Sequence, residues 1–120
     1  SVSQLNLYLR ASGTGFGPSD EAVLRKYEKV LSSNYCRPGC SLCETRCPES
    51  VPVANILRYR HYHLNYGQKD LALQAYRRLH KDGSGCESCR TRACQLACPY
   101  NIQIPGLVSE WHKSIKRFFV

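Results

Sequence analysis

The chain has 120 residues, of which 42% are apolar and 22% charged, the balance of one small globular domain. It carries 17 Lys and Arg against 9 Asp and Glu, a formal charge of +8, and eight Cys. This length excludes a barrel enzyme or a dinucleotide-dependent enzyme with its own substrate domain, and at this size metals or cross-links are expected to supplement a modest core.

In chain order, Val2, Leu5, Tyr8 and Leu9 recur as on a helix, although Leu5, Leu7 and Leu9 also alternate as a strand would. Gly13 to Pro18 is rich in breakers and reads as a linker. It resembles a phosphate loop in composition only, because no strand precedes it. Ser19, followed by Asp20 and Glu21, opens a helix to about Ser33 with Val23, Tyr27, Val30 and Leu31 on one face. Pro52 begins the next helix, to about Tyr66, with Val53, Ile56, Leu57 and Leu64 as its inner stripe and Gly67 as its stop. Another runs from Gln68 to Lys81 on a face of Ala72, Ala75, Tyr76 and Leu79, and Gly83 and Gly85 end it. Pro105 opens the last, where Ile104, Leu107, Val108, Trp111, Ile115, Phe118 and Phe119 make the clearest amphipathic pattern.

No strand is expected between these segments, so the fold class is all-α. A single domain over 1–120 is expected, with 1–35 as an N-terminal helical segment and linker and 36–120 as the core. No stretch approaches the roughly 18 apolar residues of a membrane span, and Ser1 to Arg10 carries no readable address. The chain has no Met, so Ser1 reads as the start of a processed product or of a piece of something longer.

The sequence repeats itself. Cys43 and Cys94 lie 51 residues apart, as do Cys47 and Cys98, while Cys36 to Cys86 is 50 and Cys40 to Cys89 is 49. Each copy ends Cys-Pro and continues through an apolar residue and a second proline (Val51-Pro52, Ile104-Pro105) into a helix. Two pseudo-symmetric halves are implied.

The runs are Cys36-x3-Cys40-x2-Cys43-x3-Cys47-Pro48 and Cys86-x2-Cys89-x4-Cys94-x3-Cys98-Pro99. A zinc ion is usually gripped by two close pairs well separated in the chain, whereas here four thiols crowd each short segment. A disulfide framework fits the even count but not the repeated Cys-Pro. The favoured reading is two 4Fe-4S clusters, whose signature run is C-x2-C-x2-C-x3-C-P; the first run has one extra residue early and the second two in its middle. In two-cluster ferredoxins the fourth Cys of each run ligates the other cluster. That crossing makes Cys36, Cys40, Cys43 and Cys98 one set and Cys86, Cys89, Cys94 and Cys47 the other, with the uncrossed assignment an alternative. Pro38 and Gly39 argue against a plain buried helix face of thiols. Two clusters held by eight thiolates would lower the net charge by about 4, to roughly +4.

Ala93, Ala97, Leu42 and Leu96 are expected to shield the clusters from water. Arg37, Arg46, Arg90 and Arg92 flank the cysteines and each reads first as a solvated loop charge, with a tuning of the cluster potential as the functional alternative. Three further basic stretches, from Arg58 to His63, Arg77 to Lys81 and His112 to Arg117, read mainly as solvated helix faces, with an acidic docking partner as the alternative and nucleic acid not expected. The histidines lack the spacing of a catalytic site. The tyrosines, Tyr35, Tyr59, Tyr62, Tyr66, Tyr76 and Tyr100 among them, are expected in the core or in grooves.

With these residues in view, the chain resembles the α-helical ferredoxin group, the 38 residues between Cys47 and Cys86 setting it apart from compact βαβ-type ferredoxins. More closely, Tyr35-Cys36 through Cys47-Pro48, Val51-Pro52-Val53-Ala54 and Asn65-Tyr66-Gly67 look like the C-terminal dicluster domain of certain aldo/keto reductase-like oxidoreductases. The likeness spans about residues 3 to 112, and Gln4-Leu5-Asn6 onward resembles the junction that follows the catalytic barrel there. The resemblance implies electron transfer to or from a redox enzyme domain or subunit. The barrel and its Tyr, Lys, Asp and His group are missing, so no catalytic residue carries over and no enzyme activity is expected of the chain alone. A metal-stapled interaction domain and a basic iron-sulfur domain that binds nucleic acid are the rivals. A cytoplasmic setting is expected.

Overall fold

The computed structural model describes residues 1–119 and contains six α-helices and two short 3-10 turns, with no strand among those residues. The all-α expectation holds. Contacts divide the chain into two units, Ser1–Val30 and the part from Leu31 onward.

In the first unit, α1 spans Val2–Ala11 and starts where the Ser1 hydroxyl accepts a hydrogen bond from the Gln4 N–H at 3.3 Å. The linker residues lead to α2, Pro18–Leu31, whose first turn carries Asp20 and Glu21; Asp20 Oδ2 accepts from the Gly17 N–H at 2.9 Å, and Glu21 pairs with Arg25 one turn on. No residue of α1 or α2 is buried. The stripe of Val23, Tyr27 and Val30 forms as expected but is largely exposed.

The second unit holds the core. Helix α3, Val53–Tyr66, packs on α4, Lys69–Arg77, and α6, Ile104–Lys116, packs across α3. The α3–α4 turn is made by Gly67 at φ +67°, a left-handed position that costs a residue without a side chain nothing, and the Gln68 N–H closes it on the Tyr62 carbonyl at 2.9 Å. Val53, Ile56, Leu57, Ala72, Leu73, Val108, Trp111 and Ile115 fill the space between the three helices, and each buried isoleucine contributes on the order of 2 kcal/mol. The indole N–H of Trp111 donates to His63 Nδ1 at 3.1 Å, so the one polar atom of that ring is satisfied inside the core.

Three details differ from expectation. Leu64 belongs to the periodic stripe of α3 yet is 54% exposed, since it lies in the last turn, near the Gly67 end of the hairpin. Helix α4 ends at Arg77, four residues before Lys81: Arg78 and Leu79 N–H groups bond three residues back, tightening the turn, and the chain then doubles back so that the Gly83 N–H donates to Tyr76 Oη at 2.8 Å. A one-turn helix, α5, Ala93–Leu96, lies inside the second cysteine run, where no helix was expected. It packs against α6 and against the 3-10 turn Glu44–Arg46 of the first run, which brings the two runs together.

Candidate metal centre

The two cysteine runs share a backbone course as well as a spacing. The Cys47 N–H bonds the Glu44 carbonyl at 3.1 Å, and fifty-one positions on the Cys98 N–H bonds the Gln95 carbonyl at 3.2 Å. Ser50 and Asn101 both adopt positive φ, 52° and 53°, just before Val51 and Ile102. The Val53 and Ile104 N–H groups then each bond the carbonyl two residues back at 2.8 Å, and α3 and α6 begin. Val51, Val53, Ile102 and Ile104 are all buried, as are Cys43 and Cys94, so equivalent positions anchor each run to the core.

The copies differ at one polar pair. Glu44 Oε1 accepts from the Ala54 N–H at 2.8 Å, supplying from a distance the cap that Pro52 cannot give α3. Its counterpart Gln95 instead donates to the side-chain oxygen of Gln103, the residue before α6, at 3.0 Å.

Cys47 leaves its own run. A small cavity is lined by Cys47 together with Cys86, Cys89 and Cys94, and its remaining walls are largely apolar, Val51, Val53 and Pro105 among them. Burial, then the charges of Cys47, Cys94 and Cys89, push the Cys86 thiol up to about 11. Burial also raises Cys94, and Cys47 and Cys89 add to it. Cys89 goes the other way: the Thr91 hydroxyl, 3.4 Å from its sulfur, and the Arg92 N–H hold it below the ordinary thiol value. These four cysteines, which line one cavity, are those the sequence grouped as its second set.

The thiols of the first set act on one another, and Cys94 of the second acts on Cys43. Burial, then Cys40 and Cys98, raise Cys36, while burial, then Cys36, Glu44 and Cys94, push Cys43 up to about 12. Cys98, from the second run, thus acts on Cys36 of the first. All eight are free thiols. Among the described residues no three His, Cys, Asp or Glu side chains converge as ligands of a single ion.

Arg37 is a strap where a solvated charge was expected. Its guanidinium lies 4.1 Å from the centre of the Tyr100 ring and 4.8 Å from that of Tyr35, and it donates to the carbonyls of Ser32 at 2.8 Å and Tyr35 at 2.9 Å. The pattern Tyr-Cys-Arg in one run and Cys-Pro-Tyr in the other was the available signal. Leu42 and Leu96 do not fold over the cysteines: they are 58% and 85% exposed and line an open groove with Thr45, Arg46, Ala93 and Ala97. Several basic residues are engaged structurally, Lys81 with Glu49 at 3.0 Å, Lys113 with Glu87, and Arg77 with the Phe118 carbonyl and the Phe119 ring. His63 and His112 are held in hydrogen bonds with Trp111 and Tyr76. Tyr76 is buried and Tyr35 and Tyr62 line a pocket with His61, as core and groove residues should; Tyr66 lines that pocket's rim and is largely exposed.

What fold and site define is an all-helical chain with a small cavity whose lining includes four cysteines drawn from two sequence repeats. No protein-family model, curated protein or solved structure matches it. No helix among the described residues is long and apolar enough to cross a membrane.

Proposed function

We propose that the chain holds two 4Fe-4S clusters and serves as an electron-transfer module of a redox enzyme. Cys36, Cys40, Cys43 and Cys98 would hold one cluster, and Cys86, Cys89, Cys94 and Cys47 the other. The observation that carries the reading is the cavity in which Cys47 of the first run joins three thiols of the second. A donor set of four thiols with apolar walls suits a cubane, which needs one thiolate at each of four iron corners and little water around it. A bound cubane takes up and gives back one electron at a time.

The residues of the chain do the rest. Val51, Val53 and Pro105 keep water from the second set, and the Arg37 strap between Tyr35 and Tyr100 ties the first run to the end of the second. The raised thiols of Cys43 and Cys86 must lose their protons on loading, so cluster binding releases protons and weakens as pH falls. The electron partner in this reading is a catalytic domain of the aldo/keto reductase-like type, on the same polypeptide or on another subunit, and the module makes and breaks no bonds itself. A reducing, cytoplasmic setting suits eight unpaired thiols.

The test is iron, acid-labile sulfide and zinc per chain on protein purified without oxygen, with visible spectra before and after dithionite. About eight irons and eight sulfides per chain, with bleaching on reduction, are expected. Zinc, or no metal, would overturn the proposal.

A further inference from the structure

The open groove between the cysteine runs is built from both repeats. Its six lining residues, Leu42, Thr45, Arg46, Ala93, Leu96 and Ala97, are three pairs of positions fifty-one apart. Four of them immediately precede a cysteine: Leu42 before Cys43, Arg46 before Cys47, Ala93 before Cys94 and Ala97 before Cys98. The groove therefore adjoins the backbone of both thiol sets at once, and two of its six lining residues are alanine, which put little side chain between that backbone and solvent.

Its character is apolar with a basic margin. Leu42 and Leu96 are far more exposed than leucines in a closed core, and they face the same groove, which distinguishes them from a scattered surface leucine. Arg46 lines the groove and Arg92 adjoins its Ala93 wall; neither has a carboxylate partner among the described residues. The acids of the neighbourhood are committed elsewhere, Glu44 to the Ala54 N–H, Glu49 to Lys81 and Glu87 to Lys113. The whole chain is basic as well, a formal +8 that two bound clusters would lower to roughly +4.

We propose that this groove docks the acidic surface of a one-electron carrier protein, an apolar side chain of the carrier seating between Leu42 and Leu96 and its carboxylates meeting Arg46 and Arg92. The inference rests on the cluster reading, because the value of the position lies in its reach to both thiol sets. Unpaired cations around an apolar seat select an acidic partner and speed its encounter, and the small side chains let that partner approach the cysteine backbone closely.

The test uses the cluster-loaded chain in its oxidised state, so that no electron passes, titrated calorimetrically with an oxidised acidic flavodoxin and, in parallel, with a basic cytochrome c. At low ionic strength the flavodoxin is expected to bind at least about tenfold more tightly than the cytochrome, and to lose most of that advantage between about 0.05 and 0.3 M salt. Leu96→Ser, at a side chain the fold barely uses, and Arg46→Glu are each expected to weaken flavodoxin binding by about tenfold. Iron content measured on the same preparations separates the two readings. Absence of iron is the failure of the cluster reading; an iron-loaded chain that binds both carriers alike, or whose flavodoxin affinity ignores both substitutions, overturns the docking surface. A dimer of the chain that Leu96→Ser abolishes would assign the groove to a second copy and overturn it as well.

Discussion

The phenol of Tyr76 is joined to the backbone of Gly83: the Gly83 N–H donates to its oxygen at 2.8 Å, which leaves the hydroxyl proton for Nδ1 of His112, 2.7 Å away on α6. One side chain thus closes the end of α4, orders the approach to the second cysteine run and bonds to the last helix. Its ring also meets Trp111 edge-on at 5.1 Å and stacks on Phe119 at 5.9 Å.

Tyr76→Phe keeps the rings in place and removes the oxygen, leaving a buried N–H at Gly83 without its acceptor. A loss of about 1–3 kcal/mol of stability is expected, read as a lower urea midpoint with unchanged slope. A midpoint equal to wild type would show that the N–H finds water.

Gly83→Ala should be at least as harmful for a different reason. A Cβ at this position would sit 2.6 Å from Val108 Cγ1, and Val108 is fully buried with no room to retreat. Overpacking of this kind costs about 1–3 kcal/mol, and because Gly83 leads directly into the turn that presents Cys86, iron retention of the second set should fall together with the melting temperature.

The crossing is open to a double substitution. If Cys47 and Cys89 serve one cluster, as the cavity that they share suggests, Cys47→Ser with Cys89→Ser should leave about half of the iron, the same as either alone. In the uncrossed arrangement the two changes would strike different clusters, and nearly all of the iron would be lost.

In the metal-free chain the thiols should differ in reactivity. Cys89, half-exposed and held below the ordinary thiol value by Thr91 and the Arg92 N–H, should be the first alkylated by iodoacetamide near neutral pH; Cys43, buried and pushed up to about 12, should be among the last. Peptide mass spectrometry over a time course reads the order directly.

The metal-free chain should also be weak to alkali. Burial, only partly offset by the Gly83 hydrogen bond, raises Tyr76 from 10.0 to about 12, and burial first of all raises Cys43 from 9.0 to about 12 and Cys86 from 9.0 to about 11. Each group holds its proton more tightly folded than unfolded, so its contribution is complete below the unfolded value and disappears as pH climbs through the folded one. Denaturant midpoints should therefore be level up to about pH 9 and decline between pH 9 and 12, and Tyr76→Phe should flatten the part of that decline between pH 10 and 12.

The helical periodicity of α3 and α6 was plain in the sequence because Pro52 and Pro105 mark their starts and their apolar residues recur at three and four. The failures have a common cause: periodicity says which residues share a face and not whether anything covers that face. Leu64 and the stripe of α2 are periodic and exposed, whereas Leu73, off the expected stripe, is buried. The end of α4 depended on a hydrogen bond between residues seven apart, which no local propensity records. At the candidate site the spacing of the cysteines gave the two runs, while placing Cys47 with the second-run thiols drew on the two-cluster ferredoxin pattern; the strap of Arg37 on Tyr100 joins residues 63 positions apart, with Tyr-Cys-Arg and Cys-Pro-Tyr as its local signs.

The cavity that takes Cys47 from one repeat and three thiols from the other also fixes when in the life of the chain it can exist. A nascent polypeptide that has emerged only as far as α4 presents Cys47 with none of its partners, and the Pro105 wall arrives after all of them. The surroundings of Cys47 therefore form only after both repeats have left the ribosome. On the cluster reading, loading of this site waits until both runs and Pro105 have been made, and a truncation within the second run removes the environment of Cys47 along with the residues it deletes.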